Sequence, residues 1–360
     1  MAMRVALVGL PFSGKSSLFA AVTEAGGTHV HMERADQEHL AVVKVPDQRL
    51  LWLEERYKPK KRTHAELEFL DVPGMDLSSE AGRQRARTHW QSVRNCGIML
   101  LALRNFHSTT APPYRDRVDF AADLDELKSE MLFADLEQVL ARIEKLEATL
   151  KKPVPGQERD LATKELDLMQ RLGSTLEAEK PISEAVHGPI EERLVRPFAF
   201  LTLKPALVVV NCDEGGMPAQ PPEAVGGYPA MFLSAKLEQE LAALDEGERA
   251  EFMKELGVAA TARDRLIRAC YDSMKLISFL TAGDKEVRAW TIPAGTDAVT
   301  AAGEIHTDIA RGFIRAEIIA YDDLHAAGSE KAARAAGKFR LEGKSYIIKD
   351  GDVVVFRFNV

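Results

Sequence analysis

"RVALVGLPFSGKSSLF", residues 4–19, decides the fold. Its first five residues read as a buried parallel strand, the next six as a Gly-rich turn, and the rest as a helix running from about Lys15 to Ala25. Gly9 to Ser16 fits G-x-x-x-x-G-K-S in the strand–turn–helix context that the pattern needs. In such a loop the glycines let backbone N–H groups wrap phosphate oxygens at the positive end of a helix. Lys15 would neutralise the β/γ oxygens, and the Ser16 hydroxyl would ligate Mg²⁺. Phe12, Ser13, Gly14, Lys15, Ser16 and Ser17 are therefore the expected phosphate-binding residues.

Working outward, "AELEFLDVPG" (65–74), "GIMLLAL" (97–103), "PALVVVN" (205–211) and "YPAMFLSAK" (228–236) read as further strands, with helical patterns between most of them. Such alternation predicts a doubly wound α/β domain with its ligand at the carboxyl ends of the strands. Asp71 would hold Mg²⁺ through a water, and the Gly74 N–H would meet the γ-phosphate. Ser234 and Ala235 fit the loop that brackets the base.

The opposite side of the base should be read by "NCDE", residues 211–214. A guanine reader has Asn-Lys-x-Asp, whose aspartate accepts from two guanine N–H donors that adenine lacks. Here Cys212 replaces the lysine, and the fourth place holds Glu214, one methylene longer. The guanine clamp is spoiled. Asn211 can still tie the loops together, and Cys212 is small enough to leave room beside a purine.

Between about 107 and 200 the alternation stops. Leu136, Val139, Ile143, Leu146 and Leu150 form an a/d seam, "KKPVPGQ" (151–157) breaks it, and Leu161, Leu168, Leu172 and Leu176 continue on a second helix. This predicts an antiparallel coiled-coil hairpin inserted into the α/β domain, its first helix of about 30 residues spanning roughly 45 Å. From Ile277 the pattern becomes strand, loop, helix, strand. It closes with "SYIIKDGDVVVFRFNV", read as a hairpin turned at Asp350-Gly351. A β-grasp module is expected there. The division is 1–106 and 197–276 for the nucleotide-binding domain, 107–196 for the helical insertion and 277–360 for the C-terminal module.

The 360 residues are 46% hydrophobic and 28% charged, with net charge −8. That balance suits two or three globular domains. It argues against a protein that coats DNA, so any RNA contact must be a local patch. The three dispersed cysteines, Cys96, Cys212 and Cys270, fit a reducing cytoplasm. No signal peptide or membrane span is read.

At this point the chain resembles the YchF, or Obg-like ATPase, family. The resemblance lies in "GLPxxGKSxLF" (9–19), "VVKVPDQRL" (42–50), "FLTLKP" (200–205), "LEQELAAL" (237–244) and above all in 279–324 and 336–360. It implies a G domain, a coiled-coil arm and a C-terminal TGS domain. It also implies ATP favoured over GTP, Mg²⁺ as cofactor, and docking on the ribosome, ribosomal RNA or a translation factor through arm and TGS domain. The chain departs from the family at several places. Phe12-Ser13 stands for Asn-Val, and Ala35 falls where the family has its Mg²⁺-binding switch I threonine. Leu101 falls where it has a histidine proposed to orient water, while Met75 after Gly74 is apolar as in the family. Binding is expected to be retained, with slow hydrolysis. The alternatives are a hydrolysis-deficient, nucleotide-stabilised scaffold and a GTPase with a degenerate base reader.

Three further groups were weighed. Lys58, Lys60, Lys61 and Arg62, followed by Arg83, Arg85, Arg87 and Arg94, would face rRNA phosphates or else be solvated. His29, His31 and His39 read as a solvated loop rather than a metal site. Cys212 reads as a small filler rather than a redox handle.

Overall fold

The computed structural model describes residues 3–23, 37–153, 155–213, 215–255 and 260–359. Packing divides the chain into two compact units, Met1–Ala41 with Glu68–Arg249, and Val42–Leu67 with Ala250–Val360.

In the first unit the strands Glu66–Asp71, Arg4–Val8, Ile98–Asn105, Ala206–Cys212 and Tyr228–Leu233 lie side by side in that order. Each neighbouring pair is parallel. Ile98–Asn105 and Ala206–Cys212 are buried along almost their whole lengths, which is why their sequences are unbroken apolar runs. One sheet face packs on Trp90, Val93, Leu124, Leu127 and Met131. The phosphate-loop helix Lys15–Thr23 packs against the helix Ala235–Ala243. The carboxyl ends of Arg4–Val8, Glu66–Asp71 and Ala206–Cys212 thus deliver the phosphate loop, Asp71 and Asn211 to one edge.

The inserted hairpin consists of the 31-residue helix Phe120–Leu150, about 46 Å long at 1.5 Å per residue, and the helix Gly156–Glu177. Asp119 caps the first by accepting from the Ala122 N–H. Val139, Leu146, Leu168, Leu172 and Leu176 are buried, with Leu136 and Ile143 packed against them. Leu161 is 62% exposed, so it lies outside the seam the sequence assigned to it.

The hairpin root is fixed by a buried ion pair. Arg94 Nη1 lies 2.8 Å from Asp135 Oδ1, and Asp135 also accepts from the N–H groups of Leu201 and Thr202. Arg94 further donates to the carbonyls of Ala134 and Ala199. This corrects the reading of Arg94 as a phosphate-facing side chain: it is a buried structural cation, whose charge survives burial because it is paired and hydrogen-bonded. Arg87 pairs with Glu137.

The second unit holds a six-stranded mixed sheet, in the order Arg340–Glu342, Phe313–Ala320, Asp352–Phe358, Leu276–Thr281, Glu286–Pro293 and Lys61–Thr63. The helix Ala298–Ile305 packs Ala298, Ala301 and Ala302 onto Phe279, Ile292, Phe313 and Phe356. One strand, one helix and a return strand follow the predicted order.

The terminal hairpin does not form. Residues 343–349 make no strand, and Ile347 only bridges to Asp297. Asp352–Phe358 pairs instead with Phe313–Ala320 and Leu276–Thr281. The physical reason is the turn's own chemistry. Asp350 accepts from the Ser278 N–H and pairs with Arg49 at 2.8 Å, while the Gly351 N–H, at φ +82°, donates to the Ser278 carbonyl. The turn therefore closes on a distant strand.

The basic cluster is also ordered rather than a loop. Lys58 caps the helix Gln48–Tyr57 in the left-handed region, and Lys61–Thr63 pairs in parallel with Glu286–Arg288. Lys61 and Arg62 have carboxylate partners in Glu286 and Glu54.

Candidate nucleotide-binding site

The phosphate loop turns twice on positive φ, at Phe12 (+61°) and Gly14 (+80°). A Cβ at Gly14 would sit 2.1 Å from Asn211 Nδ2, and one at Gly9 would sit 2.6 Å from the Ala102 carbonyl. Glycine is thus required at both places, by conformation at the first and by close approach at both. Ser13 is buried, and its hydroxyl has no hydrogen-bond partner among the described residues. Ser16 and Ser17 open the helix exposed, at its positive end.

Lys15 and Asp71 meet. Nζ lies 3.0 Å from Oδ1, with side chains only 7% and 5% exposed. Gly74 faces the loop so closely that a Cβ there would be 3.1 Å from Pro11 Cα, and the Met75 N–H donates to the Gly9 carbonyl. The geometry brings together the ammonium, the carboxylate and the Gly74 backbone around the helix end, as the sequence predicts. Met75 and Leu101 are both buried in one apolar cluster.

On the base side lies a cavity of about 800 Å³ whose lining includes Ser17, Phe106, Asn211, Cys212, Ser234 and Ala235. Asn211 is buried beneath it, and its Oδ1 accepts from the Ala235 N–H at 3.0 Å. With Nδ2 against Gly14, one amide joins phosphate loop and base loop. Ser234 caps the following helix by accepting from the Leu237 N–H. Cys212 is buried, receives a weak bond from Asn105 Nδ2, and burial pushes its thiol up, so it packs rather than reacts. Glu214 lies outside the described residues, as do His29, His31 and Ala35. No group of three or more His, Cys, Asp or Glu side chains suited to a metal occurs among the described residues.

Sequence reasoning missed three residues. Asp213 is consumed by the loop itself: its carboxylate accepts from the His107 N–H at 2.9 Å and the Gly216 N–H at 2.7 Å, and these bonds, the His107 one foremost, hold it below the usual carboxylate range. Asn105 donates to the Gly216 carbonyl. Arg104 is buried behind the phosphate loop. The one signal for the last was an arginine directly after an apolar run, one residue before the strand's end.

Known proteins match the chain along its whole length. Residues 276–359 match a family model for the YchF GTPase C-terminal region, described as a protein of unknown function (DUF933). Residues 4–134 match one described as a 50S ribosome-binding GTPase. The chain is 36% identical, over all of both chains, to the ribosome-binding ATPase YchF of Bacillus subtilis (strain 168). It is 32% identical to Obg-like ATPase 1 of Oryza sativa subsp. japonica, across 99% of this chain and 92% of that one. Among solved structures, the Schizosaccharomyces pombe YchF GTPase superposes with a TM-score of 0.86 at 29% identity, covering 98% of this chain and 97% of the other.

Proposed function

The chain belongs to the YchF and Obg-like ATPase family, and from that premise we propose that it is a P-loop NTPase that binds ATP in preference to GTP, docks on the ribosome and hydrolyses slowly. The observation that carries the base preference is the state of the loop after Asn211. Asn211 spends its carbonyl on Ala235, and Asp213 spends both oxygens on backbone N–H groups. With the lysine replaced by Cys212 and the fourth place holding the longer Glu214, Asp213 is no substitute for the guanine-reading aspartate, since its carboxylate is held by the loop's own N–H groups. The family model described as a GTPase ends at residue 134, well before this loop, so it does not bear on the base.

Ser16 and Asp71 offer hard oxygen donors beside the helix end, a set that suits Mg²⁺, which keeps several waters and takes its remaining ligands from phosphates. Those two residues would hold the ion, which would neutralise charge on the β- and γ-oxygens. The proposed organisation is 1–106 with 197–276 around the nucleotide, 107–196 as the arm and 277–360 as the TGS domain, although packing groups residues 42–67 and 250–276 with the C-terminal sheet.

Titration calorimetry with both nucleotides tests the preference. Selection by shape, with no residue excluding guanine outright, predicts ATP tighter by roughly 10–200-fold. GTP binding tenfold tighter than ATP would sink the claim.

Docking on the ribosome is supported by the relatives that carry that activity in their names. Within the basic cluster, Lys61 and Arg62 already pair with Glu286 and Glu54, so the phosphate-facing charge falls to Lys58 and Lys60. Reversing Lys58 and Lys60 together should weaken co-sedimentation with ribosomes and flatten its slope against log salt by about one for each lost phosphate contact. An unchanged slope removes the cluster from the docking surface.

A further inference from the structure

We propose that Arg104 is a positioning residue that holds the phosphate loop in its binding conformation and joins it to the root of the coiled-coil arm. Arg104 is the last residue but one of the central strand and is 2% exposed. Its guanidinium donates four hydrogen bonds, all to backbone carbonyls: Nε to Phe106 at 3.0 Å, Nη1 to Phe12 at 3.0 Å and Pro112 at 3.2 Å, and Nη2 to Ala111 at 3.0 Å. It also lies 4.3 Å from the centre of the Phe106 ring, which lines the base cavity. One side chain therefore touches the phosphate loop, the base cavity's wall and the segment leading into the helix Phe120–Leu150.

The contact with Phe12 is the informative one. Phe12 sits at φ +61° and is 54% exposed, and that backbone state is one a bulky residue adopts only when held there. Its carbonyl is fixed by Arg104. The N–H at the other end of the same planar peptide, that of Ser13, is fixed by the Leu10 carbonyl at 3.3 Å. The peptide that leads into the Gly14, Lys15 and Ser16 N–H groups is thus pinned at both ends. Nothing in the ring of Phe12 favours this conformation, whereas asparagine tolerates it. Arg104 supplies from outside the loop what the residue at position 12 does not supply itself.

The inference rests on the nucleotide-binding reading, and its test keeps the two apart. With the full chain, Mg²⁺ and a fluorescent ATP analogue, Arg104→Met should bind roughly tenfold or more weaker than wild type, as expected for loss of a charge-assisted bond to the loop. Phe12→Asn should improve binding by a larger factor in the Arg104→Met background than in wild type, because asparagine relieves the dependence on the clamp. A purely structural role for Arg104 would give the same factor in both. ATP should also slow amide exchange across residues 106–114 in wild type and fail to do so in Arg104→Met. If Arg104→Met does not fold by thermal melting, Arg104→Lys carries the same comparison. Binding within twofold of wild type, or equal Phe12→Asn factors in both backgrounds, overturns the proposal. Absence of binding by wild type itself overturns the nucleotide reading and the proposal with it.

Discussion

Lys15→Ala is expected to abolish binding of ATP and GTP alike, with affinity falling by at least ~100-fold, two decades or about 2.8 kcal/mol. The lysine is the cation of the phosphate loop and lies against Asp71 in a nearly dry site. Its loss removes the charge opposite the β- and γ-oxygens and leaves the Asp71 carboxylate buried without a partner. Breaking one side of a buried pair costs ~3–5 kcal/mol of stability, because the remaining charge is uncompensated. Lys15→Ala should therefore also melt earlier. The double variant Lys15→Ala/Asp71→Asn separates the two effects: removing the orphan charge should recover much of the melting temperature while binding stays lost. Calorimetry and a thermal melt on the three proteins decide it. Retention of ATP affinity within tenfold in Lys15→Ala would mean that the loop does not hold the triphosphate.

The parts legible in the sequence were those whose signal is local. Gly9 to Ser16 carries its motif, its strand and its helix in sixteen contiguous residues, and Gly14 and Lys15 stand where that reading put them. The arm was legible because a seven-residue apolar spacing survives in any context, although Leu161 shows that the count alone does not tell where the seam ends. What was not legible depends on partners far away in the chain. Lys61–Thr63 is three polar residues long, and only its parallel neighbour Glu286–Arg288 makes it a strand. Asp350-Gly351 announces a turn, but not that the turn closes on Ser278 and Arg49. Asp213 has no evident role in the sequence and is the brace of its own loop, through N–H groups of His107 and Gly216. Arg94 was misread although a signal existed: Ala86, Trp90 and Val93 define the buried stripe of the helix Glu80–Arg94, and Arg94 continues it.

Hydrolysis is expected to be very slow. Phosphoryl transfer asks a protein to place a water and to stabilise charge around Mg²⁺. In the proposed reading Lys15, Ser16 and Asp71 would meet the second demand. For the first, the residue after Gly74 is Met75, buried in the apolar cluster that also holds Leu101. Absence of a positioned general base commonly costs ~10²–10⁴ in rate. In single-turnover assays ATP should bind and remain mostly intact, and turnover above ~1 s⁻¹, the low end of ordinary enzyme rates, would show that an orienting group has been overlooked. The family resemblance points to position 101 as the place to restore one, but the structure argues otherwise. Leu101 is wholly buried, in a strand flanked by Val8 on one side and Val208 on the other. An imidazole there gives up the packing of leucine and enters a site with no polar partner at hand, a cost of roughly 2–5 kcal/mol. Leu101→His should therefore lower the melting temperature and leave the slow rate within a few-fold of wild type. A tenfold rise in rate would mean that the central strand lets the side chain at 101 turn toward the nucleotide. The chain would then be one substitution away from a working water orienter, not a nucleotide-stabilised scaffold.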